Sequence, residues 1–309
     1  MKKKILITSR HFQEVLSDFK ESLHNRNIQY DIIKSKQVVS KNQILKVIHK
    51  YDGLICSDDV IDKEVLERAK KLKVISKWGV GINSIDYKYA RSKKIKVKNC
   101  KNIFTESTSN YVIGMILNIT RKIHLADKDI KNNIWNRYEG MELKGKTIGI
   151  IGCGNIGSEI VRKLHTFDLN IFVNDIKKIN INFLKKYNAK QVDLLKICKV
   201  SDIISVNTDL NNTSFNLINK NHFKLMKSKA IIINCARGGI VNEEDLFKAL
   251  DNKKIMAAGI DCFQDEPPKK SLNLNKYKNC IFSSHNAFNT NEAVKKTHQR
   301  VFKNLVSNL

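Results

Sequence analysis

Strand patterns recur through the first hundred residues, at 4–8, 29–33, 53–56, 74–77 and 95–99. Between them lie helical spacings, for example 63–71, where Val65, Leu66 and Ala69 share an inward face. Strand–helix alternation of this kind predicts a parallel sheet with helices on both sides. A longer helical pattern follows at 105–122, with Thr105 as its expected N-cap. Its apolar positions (Val112, Ile113, Met115, Ile116, Leu117 and Ile119) form more than one stripe, as for a helix buried between domains or against a partner subunit. The second half returns to alternation. Strands are expected at 147–150, 170–173, 203–206, 230–233, 257–260 and 280–282. Helices are expected after the first of these and at 182–187, 192–199, 219–226, 243–250 and 292–305. The predicted class is α/β.

The first strand of this second half runs directly into Gly152-Cys153-Gly154-Asn155-Ile156-Gly157. In a Gly-x-Gly-x-x-Gly turn the first glycine permits the tight bend. The second lets backbone approach a pyrophosphate, and the third lets helix and strand pack closely. The helix that follows, with Ile160, Val161 and Leu164 on one face, presents unpaired N–H groups and a partial positive charge to the phosphates. The next strand ends on Asp175, where a carboxylate meets the adenosine ribose hydroxyls. Strand, glycine turn, helix, strand and acid in this order imply dinucleotide binding.

Three later strand ends carry Arg237, Glu266 and His285. In a parallel sheet these carboxyl ends share the edge that bears the glycine turn. A histidine there can take an alcohol proton as the carbon gives up hydride. A neighbouring carboxylate favours imidazolium. An arginine can fork onto a substrate carboxylate. In the first hundred residues, Ser57-Asp58-Asp59 and Lys77-Trp78-Gly79-Val80-Gly81 also follow strands directly and are candidate walls of a cleft.

Composition narrows the picture. A chain of 309 residues accommodates two domains, and no stretch approaches the ~18 apolar residues that cross a bilayer. The amino-terminal run Lys2-Lys3-Lys4-Ile5-Leu6-Ile7 reads as a first strand and not as a signal segment. The 7 cysteines are scattered without a Cys-x-x-Cys, which points to a reduced cytoplasmic setting and to no metal site. The net charge of +26 is spread over lysine pairs on polar helix faces. That reads as a solvated surface attractive to anionic ligands, and not as a nucleic-acid interface.

Taken together, Lys77-Trp78-Gly79-Val80-Gly81-Ile82-Asn83-Ser84-Ile85-Asp86, the glycine turn with Asp175, Asn234-Cys235-Ala236-Arg237-Gly238-Gly239, Gly259-Ile260-Asp261 through Glu266-Pro267, and His285 resemble the D-isomer-specific 2-hydroxyacid dehydrogenases, within them the phosphoglycerate dehydrogenase-like branch. The resemblance covers nearly the whole chain. It implies two doubly wound parallel-sheet domains: a Rossmann cofactor domain at 102–286 inserted in a flavodoxin-like substrate domain made of 1–101 and 287–309. It implies that Arg237 binds the substrate carboxylate and carbonyl, that Glu266 pairs with His285, and that His285 is the acid/base. Gly152, Gly154, Asn155, Ile156 and Gly157 would meet the NAD phosphates and Asp175 the ribose. Thr208, Cys235, Ala236 and Asp261 would lie along the nicotinamide half. Gly79, Val80 and Gly81 would offer backbone N–H groups to the substrate. A homodimer formed largely through the cofactor domain is implied as well.

The sequence departs from the family pattern at Asn110, where relatives often carry an acid, and at Ser283-Ser284, where they carry Thr-Pro. It departs again at Ala287, often a glycine. No regulatory extension, and hence no serine feedback through one, is expected. The resulting expectation is NAD-dependent interconversion of a D-2-hydroxy acid and its 2-keto acid, with 3-phosphoglycerate among the candidate substrates. An NAD-sensing, corepressor-like binding protein is the rival reading. A formate-type dehydrogenase is disfavoured, because such relatives carry glutamine in place of Glu266.

Overall fold

Two parallel sheets organise the chain, each built within its own unit. The computed structural model describes residues 2–35 and 38–309. One unit runs to Ile103 and takes in Thr290–Leu309; the other is Phe104–Asn289. The family resemblance puts the breaks at 101/102 and 286/287. The closing helix starts after Thr290, whose side chain accepts a hydrogen bond from Ala293 N at 3.3 Å.

The first unit contains β1 (Lys3–Ile7), β2 (Ile28–Ile32), β3 (Gly53–Cys56), β4 (Val74–Lys77) and β5 (Lys96–Lys98). They pair in the order β2-β1-β3-β4-β5, parallel throughout, which is the flavodoxin-like arrangement. Every residue of β3 and β4 is buried, as strands covered on both faces require. Leu54 and Ile75 pack with Ile44, Val65 and Leu66. The closing helix Asn291–Val306 belongs to this unit: Ser76 Oγ donates to Val301 O at 2.8 Å. A Cβ at Gly53 would lie 2.9 Å from Leu305 Cδ1, so strand and helix meet there with no room for a side chain.

The second unit contains β6 (Thr147–Ile151), β7 (Asn170–Asn174), β8 (Ala189–Gln191), β9 (Ile203–Val206), β10 (Ile231–Asn234), β11 (Ala257–Ile260) and β12 (Ile281–Phe282). Their order is β12-β11-β10-β9-β6-β7-β8, again parallel, and it reverses between β6 and β9 as in a Rossmann sheet. Strand β8 escaped the sequence reading. Its three residues, Ala-Lys-Gln, carry no apolar run, and its place at the sheet edge demands none.

The helix Thr105–Arg121 differs from expectation in two ways. Phe104 occupies the N-cap position and no side chain caps the helix, so Thr105 is its first residue. Its face of Val112, Met115, Ile116 and Ile119 packs within its own unit, against Ile148, Ile150, Ile160 and Ile233. Lys122, in the left-handed region at φ 54°, ends the helix, and a second helix, Ile123–Lys131, begins directly after it.

Candidate active site

The glycine turn has the geometry its sequence promised. Gly152 sits at φ +86°, and a Cβ there would lie 2.8 Å from the backbone of Asn207 and Thr208. A Cβ on Gly157 would fall 2.0 Å from Gly152 O, a separation no side chain tolerates. Gly154 differs: nothing lies within 4 Å of a Cβ built on it, which leaves its backbone open to a phosphate. The helix Asn155–Leu164 starts at Gly154 with no side chain capping its first N–H groups. Its Ile160, Val161 and Leu164 are buried as expected. Asp175 folds back over the turn, one carboxylate oxygen accepting from Cys153 N at 2.8 Å and the other from Lys177 N at 2.9 Å. The acid expected at the ribose is thus held beside the backbone of the glycine turn. A dinucleotide's phosphates and ribose match this donor and acceptor set.

Farther along the same sheet, Arg237 follows β10 and His285 follows β12. A shared carbonyl links them. Arg237 Nη1 donates to Ala236 O at 2.6 Å, and Cys262 Sγ donates to the same oxygen at 3.4 Å. Cys262 is in turn hydrogen-bonded to His285, and it feels the Arg237 charge. His285 Nδ1 and Glu266 Oε2 lie 2.8 Å apart. A guanidinium, a thiol, an imidazole and a carboxylate therefore form one continuous chain at the carboxyl edge. Burial opposes charge on His285, but the hydrogen bonds to Cys262 and Glu266 outweigh it and raise its pKa. The Cys262 thiol is itself pushed up by burial, so it is uncharged near neutral pH. Glu266 is then the group that holds the proton on the imidazole.

Asp261 makes this placement rigid. It is fully buried, and one oxygen accepts from Asn286 N at 2.7 Å and from the Ser283 hydroxyl. Its other oxygen accepts from Ala287 N at 2.9 Å. His285 N donates to Asp261 O at 2.7 Å. These four bonds hold His285 at φ +54°, a left-handed conformation that costs a non-glycine residue about 1–3 kcal/mol. Asp261, expected only along the nicotinamide, thus also positions the histidine.

Cys235 turns its thiol into the core, with Sγ 3.7 Å from Met115 Sδ. Thr208 follows β9 beside the glycine turn. In the first unit, Gly79 is at φ +127° with open space over it. The carbonyls of Gly79 and Val80 are taken by Cys100 N (2.8 Å) and Asn99 Nδ2 (2.5 Å). Sequence reasoning missed the roles of Cys262 and Ser283. The Ser283-Ser284 departure from Thr-Pro was the available signal for the second; nothing in the spacing marked the first. Cys262, Glu266 and His285 also bring three potential metal donors within 4.8 Å of one another, a set the sequence did not suggest.

Residues 113–287 match the family model described as D-isomer specific 2-hydroxyacid dehydrogenase, NAD binding domain. The chain is 34% identical over 269 residues to a D-3-phosphoglycerate dehydrogenase of Archaeoglobus fulgidus, covering 84% of this chain and 50% of that protein. It is 35% identical over 275 residues to a glyoxylate reductase of Thermofilum pendens, covering 87% and 81%. It therefore spans about half the length of the phosphoglycerate dehydrogenases it matches. The apo structure of D-lactate dehydrogenase from Escherichia coli superposes with a TM-score of 0.83 at 25% identity, covering 99% of this chain and 96% of that one. The chain belongs to the D-isomer-specific 2-hydroxyacid dehydrogenase family, and its second unit carries that family's NAD-binding domain.

Proposed function

We propose that this protein is an NAD-dependent dehydrogenase that interconverts a D-2-hydroxy acid and the corresponding 2-keto acid. The observation that carries the reading is the His285–Glu266 pair, joined through Cys262 and Ala236 to Arg237 on the edge that holds the glycine turn. Bound NAD supplies the hydride acceptor. Its phosphates are assigned to the backbone of Gly152, Gly154, Asn155, Ile156 and Gly157, and its ribose to Asp175. The nicotinamide half is assigned to Thr208, the Cys235–Ala236 main chain and the remaining acceptor capacity of Asp261. His285 takes the hydroxyl proton in oxidation and returns it to the carbonyl oxygen in reduction, with Glu266 stabilising the imidazolium. Arg237 binds the substrate carboxylate and polarises the carbonyl. Gly79, Val80 and Gly81 are assigned to the substrate through their backbone N–H groups.

NADH consumption with a panel of 2-keto acids tests this. His285→Ala should lower kcat by ~10²–10⁴-fold, and near-normal turnover in that variant would remove His285 as the acid/base. We further assign the protein to a reducing, cytoplasmic setting, in keeping with its seven unpaired cysteines. The assembly is assigned as a homodimer formed through the second unit. There Ile123, Ile130, Ile134 and Trp135 are all exposed, Trp135 by 79%. These exposed apolar side chains fall within one short stretch of the chain, which we assign to that interface.

A further inference from the structure

In an open parallel sheet ligands bind beyond the carboxyl ends, where the strand order reverses. In the first unit that point lies between β1 and β3. The loops leaving β1, β3 and β4 converge there: Ser9 Oγ and Ser57 Oγ are 2.8 Å apart, and Thr8 Oγ1 donates to Asp59 Oδ2 at 2.6 Å. The ring of His11 stacks on Trp78, with centroids 4.3 Å apart. Trp78 Nε1 donates to His298 Nδ1 at 3.1 Å. Two cations that would recognise a phosphate, Lys77 and Arg10, are present at this edge, and both already face an acid. Lys77, only 2% exposed, holds Asp58 Oδ1 at 2.7 Å and also donates to Ser57 O. Arg10 Nε lies 3.1 Å from Glu14 Oε1. Asp59, buried beneath, adds a third carboxylate. Burial lowers the pKa values of both His11 and His298, so the aromatic stack is uncharged near neutral pH.

We propose, resting on the dehydrogenase reading above, that the edge formed by His11, Trp78, Lys77 and Asp58 selects 2-keto acids whose tails are uncharged and rejects phosphorylated ones. A phosphate needs donors that are still available, and here it would meet the Asp58 and Glu14 carboxylates. Like charges set side by side cost several kcal/mol. An uncharged tail instead lies against the His11 ring that covers the buried Trp78 indole.

The test compares hydroxypyruvate, its 3-phosphorylated form and 4-methyl-2-oxopentanoate with the full chain and NADH. The phosphorylated compound should have a kcat/KM at least about 100-fold below that of hydroxypyruvate. Asp58→Asn, at an exposed position, should move that ratio toward the phosphorylated compound by roughly tenfold, by returning the Lys77 charge to the ligand. Equal or better use of the phosphorylated compound by the unaltered protein, or an unmoved ratio in Asp58→Asn, overturns the proposal. The chain has 2 tryptophans, so Trp135→Phe leaves Trp78 as the only indole reporter. Its fluorescence should titrate with 4-methyl-2-oxopentanoate and not with 3-phosphoglycerate. The reverse order, or no response to either compound, also overturns the proposal. Absence of NADH turnover on every compound, with Trp78 still discriminating, would sink the dehydrogenase reading and uphold the ligand class.

Discussion

Replacing Glu266 by Gln keeps the size of the side chain and removes its charge. The carboxylate lies 2.8 Å from His285 Nδ1, and at an effective dielectric near 20 that attraction is worth about 6 kcal/mol. The two side chains are 35% and 39% exposed, so solvent screening cuts the useful part sharply. What remains matches the ~1–3 pKa units by which one close opposite charge moves a titrating group. The sign follows from the chemistry. Reduction of a keto acid needs protonated His285, so its kcat/KM is full below the histidine's pKa and falls as pH rises through it. The raised pKa extends that plateau to higher pH. In Glu266→Gln the burial that opposes charge on His285 is left without the carboxylate that counters it, so the falling limb should move to lower pH by roughly 1–3 units. Oxidation of the hydroxy acid needs neutral His285, and its rising limb should move the same way. The assay is kcat/KM for NADH-dependent reduction from pH 5 to 10, with circular dichroism confirming the fold of the variant. A falling limb that stays in place would refute the claim that Glu266 holds the proton on His285.

Three further outcomes are expected. Gly157→Ala places a methyl 2.0 Å from Gly152 O, a clash with backbone that should cost about 1–3 kcal/mol or more. The thermal transition of the cofactor unit should drop by about 3–10 °C and NAD affinity should fall with it, and an unchanged melt would count against the packing role of that glycine. Asp175→Ser removes the carboxylate beside the glycine turn, which should raise NADPH use relative to NADH in steady-state kinetics; a wild-type enzyme that already prefers NADPH would contradict the ribose assignment. Trp135→Asp puts a charge on the exposed apolar segment and should shift the mass measured by light scattering from dimer to monomer, whereas an unaltered dimer would place the interface elsewhere.

What the sequence determined by itself was the part of the structure written in local pattern. Strands such as β9, β10 and β11 are apolar at nearly every position because helices cover both of their faces. The turn at Gly152–Gly157 is legible because only glycine fits a φ of +86° or a Cβ site 2.0 Å from a carbonyl. His285 and Glu266 could be chosen because parallel strands deliver their following loops to one edge. The rest needed coordinates. Edge strand β8 is held by pairing with β7 and not by an apolar signature of its own. Asp261 and Ser283 are 22 residues apart in sequence, and only the fold turns them into a clamp on the His285 loop. Cys262 is one of seven scattered cysteines in the sequence, and only the fold brings Ala236 O and the imidazole beside it. Lys77 is one residue of a candidate cleft wall in the sequence, and only the fold shows that the Asp58 side chain, on a neighbouring strand end, engages its charge. The physical reason is common to these cases. Backbone conformation and burial follow from a residue and its near neighbours, whereas the charge and hydrogen-bonding state of a side chain depend on partners that only folding brings within 3 Å or so.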